Sequence, residues 1–454
     1  MYKNSLFIFR RDLRCIDNIG LINACKNSKN VYAIFIFTPE QVKKNNYKSD
    51  RSVLFMIESL KNLKKNIKNL NLFYGTNKDI LKHIFNNIII DCIFYNKDYT
   101  PYSKYRDNDI INIAKKHNIN VIECQDYYLY EPASILNNIN EIYKKFTPYY
   151  NKAINVNVST PSKYKCINIK NMKNLKDYSI SLKYAENLFI DESIKNNIFK
   201  AGRDEALIKL NKIKNLTNYG KNRNLLSYNS TNLSAYVKFG NISIREFYYK
   251  IKKVFGLKHD LIRQLIWREF YINILNSYPY VLEKSFKLKY NKMKWDNNKK
   301  LIDAWKKGNT GFPIVDASMR NLNNVGYISN RSRLIVSNFL VKILFIDWKI
   351  GEKYFAIKLI DYDPASNNGN WQWVAGTGTD SQPYFRILNP WSQSKQYDED
   401  AKYIKKWIPE LNDVPSQDIH KWYETYMNYN NSYKSPIVDY KKQRNYVLDK
   451  YIKL

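Results

Sequence analysis

The sequence predicts a chain of two kinds of structure, α/β and then all-α: a parallel, Rossmann-like α/β domain over residues 1–135, a long connector over 136–200, and a helical domain over 201–454. Three observations predict it. Apolar runs of strand length alternate with helical stretches in the first part, as in a parallel sheet covered on both faces. The periodicity then weakens while Asn, Lys and Ser rise (NNINEIYKK, NVNVSTPSKYK), as in a largely irregular connector. After Ala201 the texture is helical to about residue 410, and a Lys- and Tyr-rich tail ends in KKQRNYVLDKYIKL, read as a peripheral helix. A length of 454 residues also exceeds what a single core usually supports.

The strands come first. SLFIF (5–9), VYAIFIF (31–37), LNLFYG (70–75), IIIDCIFYN (88–96) and INVIEC (119–124) read as buried strands, and SVLFMIESLKNLKKNI (52–67) as an intervening helix. No GxGxxG or Walker-type Gly-rich loop follows any of them, so an ordinary dinucleotide or nucleoside triphosphate site is not signalled. The chain shows no internal repeat.

Composition narrows the class of function. The 44% hydrophobic and 15% aromatic content belongs to a globular chain. No apolar run is long enough to span a bilayer, and MYKNSLFIFRRDLR lacks a cleavable apolar segment, so no membrane span or secretion signal is read. Cysteines 15, 25, 92, 124 and 166 are odd in number and form no CxxC, which suits a reducing compartment: the cytoplasm, or the nucleus in a eukaryote. Histidines 83, 117, 259 and 420 are scattered, so no metal site is expected. A net charge of +33 invites a polyanion, although Lys, Asn, Ile and Tyr are over-used together, which codon bias alone can produce.

Three stretches concentrate chemistry. In LIDYDPASNNGNWQWVAGTGTD, Asp363 followed by Pro364 is a strong helix start. Asn367 and Trp371 then share a face at i, i+4, while Trp373 points to nearly the opposite side. Two core tryptophans on a buried helix would give the same pattern. In LIRQLIWREFYINIL (261–275), Gln264, Trp267 and Tyr271 form one stripe, with Arg268 and Glu269 beside it. An amide beside an indole suits a planar, partly polar ligand; a core stripe with a satisfied glutamine is the alternative. In the third, Asn330, Arg331 and Arg333 head an apolar helix that ends near Trp348.

Together, FRRDLR (9–14), STNLSAYVKFG (230–240), QLIWREFY (264–271), TGFPIVDASMRNL (310–322), NRSRLIVSNFLVK (330–342), DYDPASNNGNWQW (361–373) and GTDSQPYFRILNP (378–390) resemble the photolyase/cryptochrome family, in order and spacing, from residue 5 to about 411. The likeness is closest to class I-type photolyases that repair cyclobutane pyrimidine dimers. It implies an N-terminal antenna domain, a C-terminal helical domain holding FAD, and UV-damaged DNA as partner of a monomer, with no membrane. The implied chemistry is electron transfer from photoexcited reduced flavin to the dimer, with no net redox change and no hydrolytic group.

Residue by residue, the resemblance places Tyr219, Ser230, Thr231, Leu233 and Ser234 at the flavin phosphates. Hydroxyls and N–H groups opening a helix suit that anion. Arg268, Arg333, Asp361, Asp363 and Asn367 fall around the isoalloxazine, with Asn367 toward the flavin N5 edge and Arg333 paired with Asp361. Trp371, Trp348 and Trp295 match the family's electron-relay indoles, whereas Trp373 and Trp267 match rings lining the pocket for the flipped-out lesion. Arg331 and Arg386 match phosphate contacts beside that pocket, and Gln264 matches the residue bonding the lesion carbonyls.

The sequence departs from the family at four places. Gln264 replaces a glutamate usual in dimer photolyases, a substitution common in (6-4) photolyases. Yet Asn330 and Leu334 stand where (6-4) enzymes place two histidines, and a proton donor is harder to replace than one amide. Tyr327 replaces a frequent Trp, and Gln396 a DNA-contacting Lys. The expectation is therefore cyclobutane dimer repair, with a (6-4) photolyase or a cryptochrome-type blue-light receptor as alternatives. Only the residues after about 411 follow the last motif, shorter than many signalling extensions. A second antenna chromophore, folate or deazaflavin, is implied by the loop NKDYTPYSKYRD (96–107) without its identity.

Overall fold

The computed structural model describes residues 1–454 except 44, 173–174 and 195–198, so one position of the α/β part and six of the connector lie outside the described residues. Its contacts divide the chain into two compact units. The first comprises Met1–Thr217, Thr231–Pro279 and Asp361–Ala365; the second comprises Asn218–Ser230, Tyr280–Ile360 and Ser366–Leu454.

The first unit is built on a parallel sheet. Its strands are β1 (Tyr2–Phe9), β2 (Ser28–Phe37), β3 (Asn71–Tyr74), β4 (Cys92–Asn96) and β5 (Asn120–Cys124), in the order β3-β2-β1-β4-β5. β6 (Ile169–Lys170), a strand not anticipated in the connector, pairs with β2. All pairings between these strands are parallel. β1 and β2 are continuously apolar because helices cover both faces: Leu6, Phe7, Ile34 and Phe37 are buried. The connector also carries the helices Phe146–Ala153 and Leu182–Phe189.

FRRDLR follows β1 and is consumed by buried ion pairs within this unit. Arg14 donates to both oxygens of Asp126 at 2.7 and 2.6 Å, and Arg245 donates to Asp126 and Asp17. Arg245 lies on helix Ile244–Phe255, which opens with a reciprocal capping box between Ser243 and Glu246. Arg14 and Arg245 hold Asp126 below the ordinary carboxylate range, against the opposing effect of burial. A buried pair broken on one side leaves an uncompensated charge, so these arginines fix one packing of the helix on the sheet.

The second unit is helical. Helices Lys299–Lys307, Pro313–Val325, Asn330–Lys342, Trp348–Lys358 and Tyr440–Ile452 supply most of its core. TGFPIVD is a knot in it. Asp316 accepts from the backbone of Thr310 and Gly311, the Thr310 hydroxyl and the Tyr433 hydroxyl, while burial pushes its pKa up to about 6. Gly311 has φ +73°, and a Cβ there would meet the Ser435 carbonyl at 2.1 Å, so only glycine fits. Among the described residues no helix is long and apolar enough to cross a membrane, and no group of His, Cys, Asp and Glu is arranged to hold a metal.

Candidate functional site

Helix Asp260–Ser277, capped by His259, presents the first cluster. Gln264 and Trp267 are half-buried, and the Gln264 amide makes no hydrogen bond among the described residues. One face of Trp267 is already occupied: Phe146 stacks on it with centroids 3.6 Å apart and planes 6° apart, and Arg263 lies 5.0 Å over the other side of Phe146. Phe146 comes from the connector, where no periodicity marked it. Arg268 donates to the Tyr127 carbonyl at 2.8 Å and sits over the Tyr128 ring, leaving its buried Nη2 unpartnered. Nη2 is one of several buried guanidinium nitrogens without an acceptor among the described residues, and as a donor it suits a ligand carbonyl or ring nitrogen. Glu269 turns inward to accept from Leu129 and Tyr130 N–H, and burial pushes its pKa up to about 7.

The same unit contains the STNLSAYVKFG stretch from Thr231 onward. Leu233 is buried. Thr231 accepts from Leu233 N, and Ser234 donates its hydroxyl proton to Asp361 at 2.6 Å. Asp363 pairs with Arg11 at 3.3 Å. Lys238, unremarked in the sequence, donates to Ser52; desolvation pushes its pKa down to about 7 although Asp361 and Asp363 oppose that shift. Tyr219 and Ser230 belong to the second unit and are half-buried.

Helix Pro364–Ala375 separates its two indoles as helical spacing requires. Trp371 is buried, edge-on to Phe355 at 5.0 Å and to Trp305 at 6.2 Å. It lies on Gly351, where a Cβ would meet the indole at 2.1 Å. Asn367, one turn earlier, donates through Nδ2 to the Glu352 carboxylate at 2.8 Å and to the Glu352 carbonyl at 3.1 Å. A backbone carbonyl only accepts, so the amide cannot be flipped and its Oδ1 is the atom left for a ligand. Glu352 carried no sequence signal, being one charge on a lysine-rich helix. Trp348 is buried at the start of that helix, and Trp295 is half-buried against Phe345 and Tyr451. Among the described residues Trp371, Trp348 and Trp295 make no ring contact with one another; Trp371 and Trp348 are both buried, and Trp295 alone of the three is partly exposed.

Trp373 faces a cavity of about 130 Å³ within the second unit, lined also by Arg331, Leu334, Asn338, Gln382 and Arg386. Arg331 is pinned by Asn224 at 2.9 Å, by Gln393 at 3.3 Å and by the Tyr397 ring beneath it. Burial, with Arg223 and Arg386 nearby, pushes its pKa down from the usual arginine value. Arg331 and Arg386 both line the cavity, and among the described residues its lining holds no carboxylate, so the wall suits an anion. Arg333 donates to the Ile328 carbonyl, with Tyr327 under its guanidinium; Asn330 and Gln396 are exposed.

Residues 5–163 match the family model for DNA photolyase, and residues 261–453 match the model for the FAD binding domain of DNA photolyase. The chain is 40% identical to a deoxyribodipyrimidine photo-lyase of Buchnera aphidicola subsp. Baizongia pistaciae, over 96% of this chain and 95% of that protein. The chain belongs to the DNA photolyase family. Among solved structures, an archaeal photolyase from Sulfolobus tokodaii, determined with two FAD molecules, superposes with a TM-score of 0.89 at 38% identity, covering 99% of this chain and all of that one. A Synechocystis cryptochrome shares the photolyase fold at a TM-score of 0.88 and 24% identity, over 99% of each chain. FAD is thus the cofactor of this photolyase-family chain, and within the second unit the fixed Asn367 amide has a polar edge that suits a flavin ring.

Proposed function

We propose that this chain is a deoxyribodipyrimidine photo-lyase, a lyase that splits the carbon–carbon bonds of cyclobutane pyrimidine dimers in UV-damaged DNA under blue light. The observation that carries the reading is the division of labour on helix Pro364–Ala375: Asn367 and Trp371 on an inward face, Trp373 on an arginine-lined cavity. The chemistry supplied by bound, reduced FAD is the loan of one electron on excitation, which opens the cyclobutane ring. Arg268, Arg333, Asp361, Asp363 and Asn367 would bind its ring system, and Asn367 Oδ1 would accept from the N5 edge, an acceptor held in place by Glu352. Tyr219, Ser230, Thr231, Leu233 and Ser234 would surround its phosphates, with backbone N–H groups as donors, since the Ser234 hydroxyl proton is directed at Asp361. Trp371, Trp348 and Trp295 would pass electrons inward when the cofactor arrives oxidised.

Trp373 would stack on the flipped-out dimer, and Trp267 would offer only the face that Phe146 leaves free. Arg331 and Arg386 would neutralise the flanking phosphates, with Asn330 at the rim of that contact. Gln264 would donate to a thymine carbonyl, stabilising the charge that develops there; an amide can do so at any pH. Residues 1–135 would form the antenna domain, 136–200 the connector, and 201–454 the FAD- and lesion-binding part of a cytoplasmic monomer (nuclear in a eukaryote).

The test is product analysis. Purified protein should release FAD on denaturation, and it should restore a UV-damaged oligonucleotide under blue light but not in darkness. Equal turnover in the dark, or fully loaded protein without flavin, would contradict the proposal.

A further inference from the structure

The segment Pro383–Leu388 carries Arg386 and Leu388 into the lining of the Trp373 cavity, yet it belongs to no helix or strand. What holds it comes from one face of helix Asn330–Lys342. Asn338 accepts from the Leu388 N–H at 2.9 Å through Oδ1. One turn later Lys342, wholly buried, donates from Nζ to the carbonyls of Pro383 at 3.2 Å, Tyr384 at 3.2 Å and Arg386 at 3.4 Å. An ammonium has three donors, and all three go to one short segment. A buried lysine is rare, and here no carboxylate faces it among the described residues.

We propose that Lys342 is a positioning residue, which grips the backbone of the 383–386 segment and so holds Arg386 at the mouth of the cavity. The proposal rests on the reading of that cavity as the place where damaged DNA binds. The charge, and not the length alone, is what grips: three carbonyl dipoles converge on one cation, and a neutral amine would leave at least one of them without a donor.

The arrangement couples DNA binding to a proton. Burial, with the Arg386 charge adding to it, pushes the Lys342 pKa down to about 7. Besides Arg386, the ionisable side chain that faces Nζ among the described residues is Tyr451 from the C-terminal helix. The Tyr451 ring lies 5.8 Å from Nζ, and its hydroxyl donates to the Ala375 carbonyl. A DNA phosphate arriving at Arg386 offsets that charge and raises the Lys342 pKa, so binding takes up a proton. If the shift is about one pKa unit, affinity for damaged DNA falls roughly tenfold as the pH rises through the free and bound values.

The test uses flavin-loaded full-length protein and an oligonucleotide carrying one cyclobutane thymine dimer, beside its undamaged twin, from pH 6 to pH 9 at fixed ionic strength. Lys238 and Glu269 titrate in the same range, so the readout is the difference between proteins and not the profile of one. Lys342→Met should retain flavin yet bind the damaged strand weakly at every pH. Lys342→Arg, charged throughout, should restore affinity and lose the wild-type decline. Wild-type affinity for Lys342→Met, or a decline in Lys342→Arg equal to that of the parent, would overturn the proposal. Failure of the parent itself to prefer the damaged strand at any pH would instead sink the reading of the cavity.

Discussion

Trp371 and Asn367 share one face of a helix, but their environments ask different things of them. Trp371 is enclosed by rings and by the bare Cα of Gly351, a setting for an indole that passes charge and touches no substrate. Trp371→Phe should therefore abolish photoreduction of the oxidised flavin while chemically reduced protein still repairs. Transient absorption decides this, and undiminished photoreduction would mean that electrons travel another way. Trp373→Ala should spare flavin content and cost about 1–3 kcal/mol of affinity for dimer-containing DNA, the usual worth of one stacked base. Glu269 makes a prediction about pH. Its carboxyl is protonated more readily in the fold than in an unfolded chain, because burial raises its pKa to about 7. The stability it contributes is complete below the ordinary carboxylate range and is lost as pH rises through 7. Glu269→Gln should then raise the melting temperature relative to the parent more at pH 8 than at pH 5, and an equal shift at both would refute the assignment.

At the scale of elements, helix Trp348–Lys358 is shaped by what it must accommodate. Gly351 lies under the Trp371 indole with no room for a methyl group, so Gly351→Ala is an overpacking change. It should cost roughly 1–3 kcal/mol in thermal unfolding and displace Trp371, lowering photoreduction as well. Helix Asp260–Ser277 and helix Pro364–Ala375 were legible because their aromatic and amide residues repeat at helical spacing, and the β1–β5 strands because apolar runs between turn residues have few other uses. β6 was not, since two residues carry no period. Phe146, Glu352, Asn338 and Lys342 were missed for a related reason. Each acts through a partner elsewhere in the chain, and a glutamate on a lysine-rich helix, or a lysine closing an apolar one, reads as solvated until the packing is known.

For the whole molecule, a charge of +33 was ambiguous, because codon bias and a polyanionic partner give the same composition. Arg331 and Arg386 give that charge a focus, at a cavity with an aromatic wall. Binding to damaged DNA should weaken linearly in log affinity against log salt, and Arg386→Ala should flatten the slope by about one. What the charge leaves open is the lesion, and there the sequence points two ways: Gln264 toward (6-4) photoproducts, Asn330 and Leu334 away from them. The histidine positions carry more weight, because an amide donor serves a dimer carbonyl as well as a protonated carboxyl does. The most direct test irradiates the chemically reduced protein separately with a cyclobutane thymine dimer and with a (6-4) photoproduct, and resolves the products. Restored thymines from the dimer and an unchanged (6-4) lesion are expected; repair of the (6-4) lesion with the dimer left intact would contradict the assignment.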